Sequence, residues 1–144
     1  MSIWFAETID LAKINAMGAP TMPGFLGIEF TDIGDNWLRA HMPVGPRVHQ
    51  PWGRLHGGGS VTLAETAASV GAMLTLDPAQ KAAVGMEINA NHIRPVRDGH
   101  VFAVATAEAI GRTSQVWSVR IIDEADRLIC ISRVTMAVID IARA

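Results

Sequence analysis

An acidic residue inside an apolar segment is the feature of this sequence with the clearest chemical meaning. Glu65 lies among alanine, valine and leucine residues in the stretch 61–70, shortly after the turn sequence His56-Gly-Gly-Gly. A helix that is apolar on nearly every side is typically a buried helix. Because a carboxylate is costly to remove from water, it is almost never fully buried without a partner. A catalytic role is the strongest explanation for this acid, and a structural ion pair is the alternative.

Ser69 follows Glu65 by four residues, so the two side chains share one face of a helix. The hydroxyl can orient the carboxylate or a water molecule beside it, and simple helix packing is the alternative. The sequence Ala67-Ala-Ser-Val-Gly71 imitates a serine-hydrolase elbow, but its first glycine is missing and the serine falls in mid-helix. We therefore do not predict a nucleophilic serine.

Composition sets broad limits on the class of protein. The 144 residues predict one domain, 1–144, with a core of its own. A net charge of −2 gives no indication of a nucleic-acid partner. The five histidines lack metal-ligand spacing, and no phosphate loop or dinucleotide motif is present, so we predict neither metal nor cofactor. Without a signal peptide or an apolar span, we expect a cytoplasmic protein with no membrane partner.

Turn signals divide the sequence into one helix, two strands, a second helix and four strands. We predict a short amphipathic helix from residue 4 to about 17, within an N-terminal helix and loop that end near 24. A long buried helix runs from 60 to about 76, where Pro78 disfavours its continuation. The strands are predicted at 28–33, 37–44, 83–94, 101–110, 115–122 and 128–139.

The predicted long helix needs a protein surface on all sides, and a strongly curved antiparallel sheet provides one. The fold class is therefore α+β, with the sheet wrapped around the helix. In the strand 101–110, Val101 and Ala103 alternate with Phe102 and Val104, so both faces of the strand are apolar. Such strands indicate a sheet that is buried on both sides, and we expect an oligomer.

Two sequence motifs indicate the family that this chain resembles. Gln50-Pro-x-Gly-x-Leu-His56-Gly-Gly followed by Leu63-Ala-Glu65 resembles the hotdog-fold acyl-CoA thioesterases. Within them the chain is most similar to the branch that hydrolyses 1,4-dihydroxy-2-naphthoyl-CoA in menaquinone synthesis, and segments 85–94 and 111–117 carry the same likeness. The similarity covers about residues 27–139. It implies a hotdog fold and hydrolysis of an aryl- or acyl-CoA thioester to the free acid and CoA.

The resemblance also implies roles for individual residues. Glu65 would act either as a nucleophile that forms a mixed anhydride or as a general base that activates water, and both stay open. The backbone N–H of Gly57, at the positive end of the helix, would polarise the thioester carbonyl. Gln50 and His56 would support that hydrogen bond or hold the turn, and Ser69 would orient the acid. These groups would meet between two subunits of a homotetramer, arranged as a dimer of dimers.

The CoA end of the substrate carries phosphates, which suit arginine. Arg94, Arg112 and Thr113 match positions that resemble nucleotide-phosphate contacts of the family, and His92 joins them. Ordinary surface charges are the alternative interpretation.

Two other functions stay open. A hotdog hydratase or dehydratase would act on a similar acyl thioester, with a different arrangement of acid and histidine on the helix. A non-catalytic acyl-CoA-binding module would use the same cleft but would not need Glu65. The acyl group itself stays open, with aryl groups such as dihydroxynaphthoyl and benzoyl and aliphatic chains as candidates.

Overall fold

The computed structural model of the chain describes residues 1–141. All six predicted strands are present, with bounds within two residues of the prediction. The elements, in chain order, are α1 (Leu11–Gly18), α2 (Met22–Phe25), β1 (Glu29–Ile33), β2 (Trp37–Pro43), a 3-10 turn (Pro46–Val48), α3 (Gly57–Leu74), β3 (Lys81–His92), β4 (His100–Ile110), β5 (Ser114–Asp123) and β6 (Leu128–Asp140).

The strands form one antiparallel sheet in the order β1-β2-β4-β5-β6-β3. Helix α3 contacts every strand from β2 to β6. Its small residues Ala64, Ala67 and Ala68 are fully buried, which lets the helix axis approach the sheet closely. The predicted α+β hotdog architecture, a curved sheet wrapped around one long helix, is confirmed.

Helix α3 begins three residues before its predicted start. The glycines at 57–59 form its first turn, because His56 caps the helix. The His56 ring accepts a hydrogen bond at Nδ1 from the Gly58 N–H over 2.8 Å, in the manner of a side chain at the N-cap. The glycine run is thus part of the helix, and of its three N–H groups those of Gly58 and Gly59 donate to His56, which leaves that of Gly57 free at the helix end.

The prediction of a helix from residue 4 to about 17 was wrong in its first half. Helix α1 begins at Leu11, where the Asp10 carboxylate caps it by accepting from the Lys13 N–H. The residues before Asp10 instead use their polar groups in tertiary bonds. The Phe5 N–H donates to Leu74 O over 2.9 Å, and the Trp4 indole N–H donates to Gly34 O over 2.7 Å. This segment ties the end of α3 to the β1–β2 hairpin.

A buried polar chain crosses the core beneath α3. The fully buried Gln115 donates from Nε2 to Thr75 Oγ1 over 2.8 Å, and its Oε1 accepts from the Trp117 indole N–H over 2.9 Å. A buried N–H that loses its acceptor costs the free energy of its desolvation.

The variant Gln115→Leu is expected to lower the free energy of unfolding by about 1–3 kcal/mol, because it leaves the buried Trp117 indole N–H without an acceptor. Urea denaturation measures this loss. The same change at the exposed Gln80 is the control and is expected to stay within about 0.5 kcal/mol of the wild type. Equal effects at the two positions would show that the buried hydrogen bonds contribute nothing to stability.

Candidate active site

A cleft beside the start of α3 joins four of the predicted site residues. Gln50, Gly57, His92 and Arg94 line this cleft, whose volume is about 310 Å³. The His92 ring lies directly against Gly57, since a Cβ added at Gly57 would sit 2.8 Å from His92 Nε2. The Gly57 N–H donates to no acceptor among residues 1–141, so it is available to a ligand. We call these four residues the amide half-site.

The loop before α3 is held in place by hydrogen bonds. The Leu55 N–H donates to Val96 O over 2.8 Å, which fixes the loop to the segment after β3. The Gln50 side chain accepts at Oε1 from the Trp52 N–H over 2.6 Å. This bond orients the amide group and leaves its NH₂ end, a donor, for the cleft.

His56 lies next to Gly57 in sequence, but its ring does not line the cleft of the amide half-site. The exposed ring lines a separate groove, about 260 Å³ in volume, with Arg47 and Thr62. His56 Nδ1 is used to cap α3, so the residue contacts the amide half-site through the backbone that it holds. This arrangement matches the turn-holding alternative for the residue.

Glu65 and Ser69 form a second group, on another side of α3. Both side chains are half-buried, and the Ser69 hydroxyl donates to Glu65 Oε1 over 3.3 Å. No lysine or arginine within residues 1–141 forms a salt bridge with Glu65. A structural ion pair therefore does not account for this acid. We call the pair, together with the backbone of β3 that it touches, the acid half-site.

The two half-sites of one chain are too far apart to act on the same carbonyl group. Gly57 and Glu65 are eight residues apart in α3, which corresponds to about 12 Å along the helix axis and about 80° around it. A glutamate side chain cannot span that separation and reach an oxygen bound at the Gly57 N–H.

The predicted CoA contacts divide in the same way. His92 pairs with Cys130 of β6, whereas the β4–β5 turn that holds Arg112 and Thr113 lies beside Ala137. Seven residues of a strand correspond to about 23 Å. Arg94 therefore lies with the amide half-site, while Arg112 and Thr113 lie at the opposite end of β6, the end nearer Glu65.

Gly85 belongs to the acid half-site but was not among the predicted site residues. Gly85 lies in β3 beneath the Glu65 carboxylate, and a Cβ added there would sit 2.3 Å from Glu65 Oε1. A glycine inside a strand is a known sign of a bulge or of a close approach, and β3 has a bulge between Gly85 and Glu87. The approaching group is twenty positions away in sequence, so only the fold reveals it.

Comparison with known proteins identifies the family of the chain. The family model of the thioesterase superfamily matches residues 53–130. The 1,4-dihydroxy-2-naphthoyl-CoA hydrolase of Escherichia coli is 49% identical over 137 residues, which cover 95% of this chain and 99% of that enzyme. The chain belongs to the thioesterase superfamily. The predicted enzyme class, a thioester hydrolase, and the predicted likeness to this branch are confirmed.

Solved structures agree with the fold of this thioesterase. A mutant thioesterase from Pseudomonas aeruginosa superposes with a TM-score of 0.95 at 44% identity, covering 97% of this chain and 100% of that one. Two mutants of one Staphylococcus aureus protein are each 34% identical to this chain. The glutamate-to-alanine mutant superposes with a TM-score of 0.82 and covers 84% of this chain and 100% of its own. The glutamine-to-alanine mutant superposes with a TM-score of 0.79 and covers 81% of this chain and 97% of its own. One carries glutamine-to-alanine and the other glutamate-to-alanine fifteen positions later. Gln50 and Glu65 have the same separation.

The described part of the thioesterase has neither a membrane-spanning helix nor a cluster of metal-ligating side chains. Within residues 1–141, no helix is long and apolar enough to cross a membrane. Over the same part of the chain, no three histidine, cysteine, aspartate or glutamate side chains cluster in a way that could hold a metal ion.

Proposed function

We propose that this chain hydrolyses aryl- or acyl-CoA thioesters to the free acid and CoA, at a site completed by two subunits. The observation that carries the proposal is Glu65, a carboxylate on the central helix without a basic partner among the described residues. The family membership supports the reaction class. The matching separation of glutamine and glutamate in the Staphylococcus aureus mutants supports the choice of Gln50 and Glu65.

The chemistry needs a polarised carbonyl and an attacking group. The thioester oxygen binds at the Gly57 N–H, which lies at the positive end of the α3 dipole and stabilises the negative charge that develops there. The Gln50 NH₂ group is the second donor. Glu65 either attacks the carbonyl carbon, which expels the CoA thiolate and leaves a mixed anhydride for water to cleave, or removes a proton from the water that attacks directly. Ser69 holds the carboxylate.

A second subunit supplies the missing half of each site. Strand β3 is an edge strand of the sheet, and among residues 1–141 it pairs with β6 alone. It is twelve residues long and exposes the apolar side chains of Val84 (44%) and Met86 (66%). A long edge strand with exposed apolar residues is a surface for pairing with another chain. We place the dimer contact there.

Antiparallel pairing of two β3 strands brings the half-sites together. If the two-fold axis passes between Ile88 and Asn89, Gly85 of one chain lies opposite His92 of the partner subunit. Gly85 touches Glu65, and His92 touches Gly57. Glu65 of one chain and Gly57 of the partner subunit then face the same space, and the symmetry creates two such sites.

The outer face of the sheet supports a further assembly step. Phe102 and Val104 are half-buried in the single chain, and Arg39 lies over the Phe102 ring with its Cζ 4.5 Å from the centroid. Contact through this face would make a homotetramer from two dimers. Molecular mass in solution tests this arrangement. The cytoplasmic location stays a prediction.

The proposed function is tested by release of free thiol from a panel of thioesters. The panel contains 1,4-dihydroxy-2-naphthoyl-CoA, benzoyl-CoA, short-chain and long-chain acyl-CoA, and one acyl-carrier-protein thioester. We expect turnover of at least one ester, with the aryl esters preferred. Binding of CoA esters without thiol release would contradict the proposal and favour a binding module. An enoyl-CoA is assayed beside the panel, and its hydration without thiol release would favour a hydratase.

The variant Arg112→Ala is expected to raise the apparent KM for CoA esters more than for pantetheine esters that lack the nucleotide, because arginine binds phosphate as a fork of donors. Steady-state kinetics on the two ester types measure the difference. Lys13→Ala, which removes an exposed positive charge on α1 away from both half-sites and from the outer face of the sheet, is the control and is expected to change the two KM values alike. Equal effects of Arg112→Ala on both esters would remove this residue from the nucleotide site.

A further inference from the structure

The Glu65 carboxylate occupies a slot that exists only because residue 85 has no side chain. An added Cβ at Gly85 would lie 2.3 Å from Glu65 Oε1, a distance that real Cβ atoms essentially never show. The backbone itself does not demand glycine here. Gly27, Gly53 and Gly99 have positive φ values, whereas Gly85 does not. The close approach of the Glu65 carboxylate, and not the backbone dihedral angle φ, explains why residue 85 is a glycine.

The two carboxylate oxygens of Glu65 have different surroundings. Oε1 lies against Gly85 and accepts from the Ser69 hydroxyl. Oε2 is 3.9 Å from the position of the added Cβ and accepts no hydrogen bond from residues 1–141. One oxygen is therefore anchored between helix and strand, while the other is directed away from the anchor.

We propose that Gly85 is a positioning residue for Glu65, and that Oε2 is the oxygen that reacts. This inference rests on the proposed function of Glu65. The bare backbone of β3 and the Ser69 hydroxyl fix Oε1 from two sides, so the carboxylate keeps one orientation. Oε2 then either forms the bond to the thioester carbon or takes the proton from water. A side chain at residue 85 displaces the carboxylate and misaligns this oxygen.

The variant Gly85→Ala is expected to lower kcat for the best ester of the panel by about a hundredfold, the scale of a displacement of about 1 Å in a catalytic group. KM is expected to change little, because Gly57 and Gln50, the groups proposed to bind the carbonyl oxygen, are unchanged. Gly45→Ala is the matched control. Nothing lies within 4 Å of a Cβ added at Gly45, and its φ is −161°, so kcat should remain near the wild-type value.

Shortening the acid tests whether the two residues share one space. Glu65→Asp withdraws the carboxylate by one methylene group and empties the slot. In that background Gly85→Ala is expected to cost nothing further in kcat or in melting temperature, whereas independent effects would multiply. Multiplying costs in the double variant, or a near-normal kcat in Gly85→Ala alone, would overturn the proposal.

Folding gives a readout that does not depend on catalysis. Gly85→Ala alone can fail to fold. In that case the double variant of Glu65→Asp and Gly85→Ala is still expected to fold, with the melting temperature of Glu65→Asp. A double variant that does not fold would contradict the inference. The proposed function fails separately, if Glu65→Gln retains thiol release. Loss of activity in Glu65→Gln together with full activity in Gly85→Ala rejects only the positioning role.

Discussion

Replacing Glu65 by glutamine is expected to lower kcat for thioester hydrolysis at least about a hundredfold, the usual minimum for loss of a base or nucleophile. Glutamine has nearly the same size and still fills the slot above Gly85. It also keeps an oxygen for the Ser69 hydroxyl to bind. The variant therefore removes the charge and the basicity of the side chain and leaves the packing of α3 unchanged. Free-thiol release at saturating ester measures the effect.

Glu7→Gln is the control for that substitution. Glu7 is exposed, precedes α1 and belongs to neither half-site. The kcat of the Glu7→Gln variant is expected to match that of the wild type. The melting temperatures of the two variants are expected to agree with the wild type, which excludes unfolding as the cause of any loss. A Glu65→Gln protein with near-normal turnover would remove this residue from the chemistry.

Replacing Gly57 by proline is expected to lower kcat by about a hundredfold to a thousandfold, because the site loses the N–H that binds the carbonyl oxygen. Proline suits the first position of a helix, where its missing N–H breaks no intrahelical bond. Gly57 occupies that position in α3. The preceding residue, His56, has φ −65° and ψ 135°, values that a following proline accepts.

Gly57→Ala separates the amide from the side chain. Alanine keeps the N–H but adds the same Cβ, which would meet His92 Nε2 at 2.8 Å. Any loss through displacement of His92 thus appears in both variants, and the difference between them reports the replacement of the N–H by the proline Cδ. Equal kcat values for Gly57→Pro and Gly57→Ala would assign the loss to His92 and not to the backbone donor.

The fold could be predicted largely from local patterns. Alternating apolar residues and turn signals gave the strands, since a half-buried strand repeats every two residues. The apolar segment around Glu65 gave the helix and, with it, the need for a surrounding sheet. The start of α3 was missed because glycines disfavour helix interiors, and nothing in the local pattern announces that His56 caps the first turn. The N-terminal helix was overpredicted because tertiary hydrogen bonds of Trp4 and Phe5 outweigh local propensity.

The residues of the candidate site could be predicted from the sequence, and the family resemblance also implied that they meet between two subunits. Gln50, Gly57 and Glu65 stand out in the sequence through their motifs. The length of α3 between Gly57 and Glu65 gives the physical reason why one chain cannot hold both groups at one carbonyl. Gly85 carries no chemistry of its own, and its importance depends on a side chain that the fold brings against it.

The measurement that tests the two-subunit site most directly is activity of mixed oligomers of Glu65→Gln and Gly57→Pro. Each variant alone is expected to be nearly inactive. In a mixed dimer, one site holds both substitutions and the other holds neither. Random co-assembly in equal amounts is therefore expected to restore about a quarter of wild-type thiol release, since half of the dimers are mixed and half of their sites are intact.

Co-expression of the two variants, with mass spectrometry to confirm that mixed oligomers form, provides the sample. Recovery to about a quarter of the wild-type rate is the result that the account predicts. If mixed oligomers are present and the rate is no higher than the average of the two variants, Gly57 and Glu65 do not act on one thioester from different subunits.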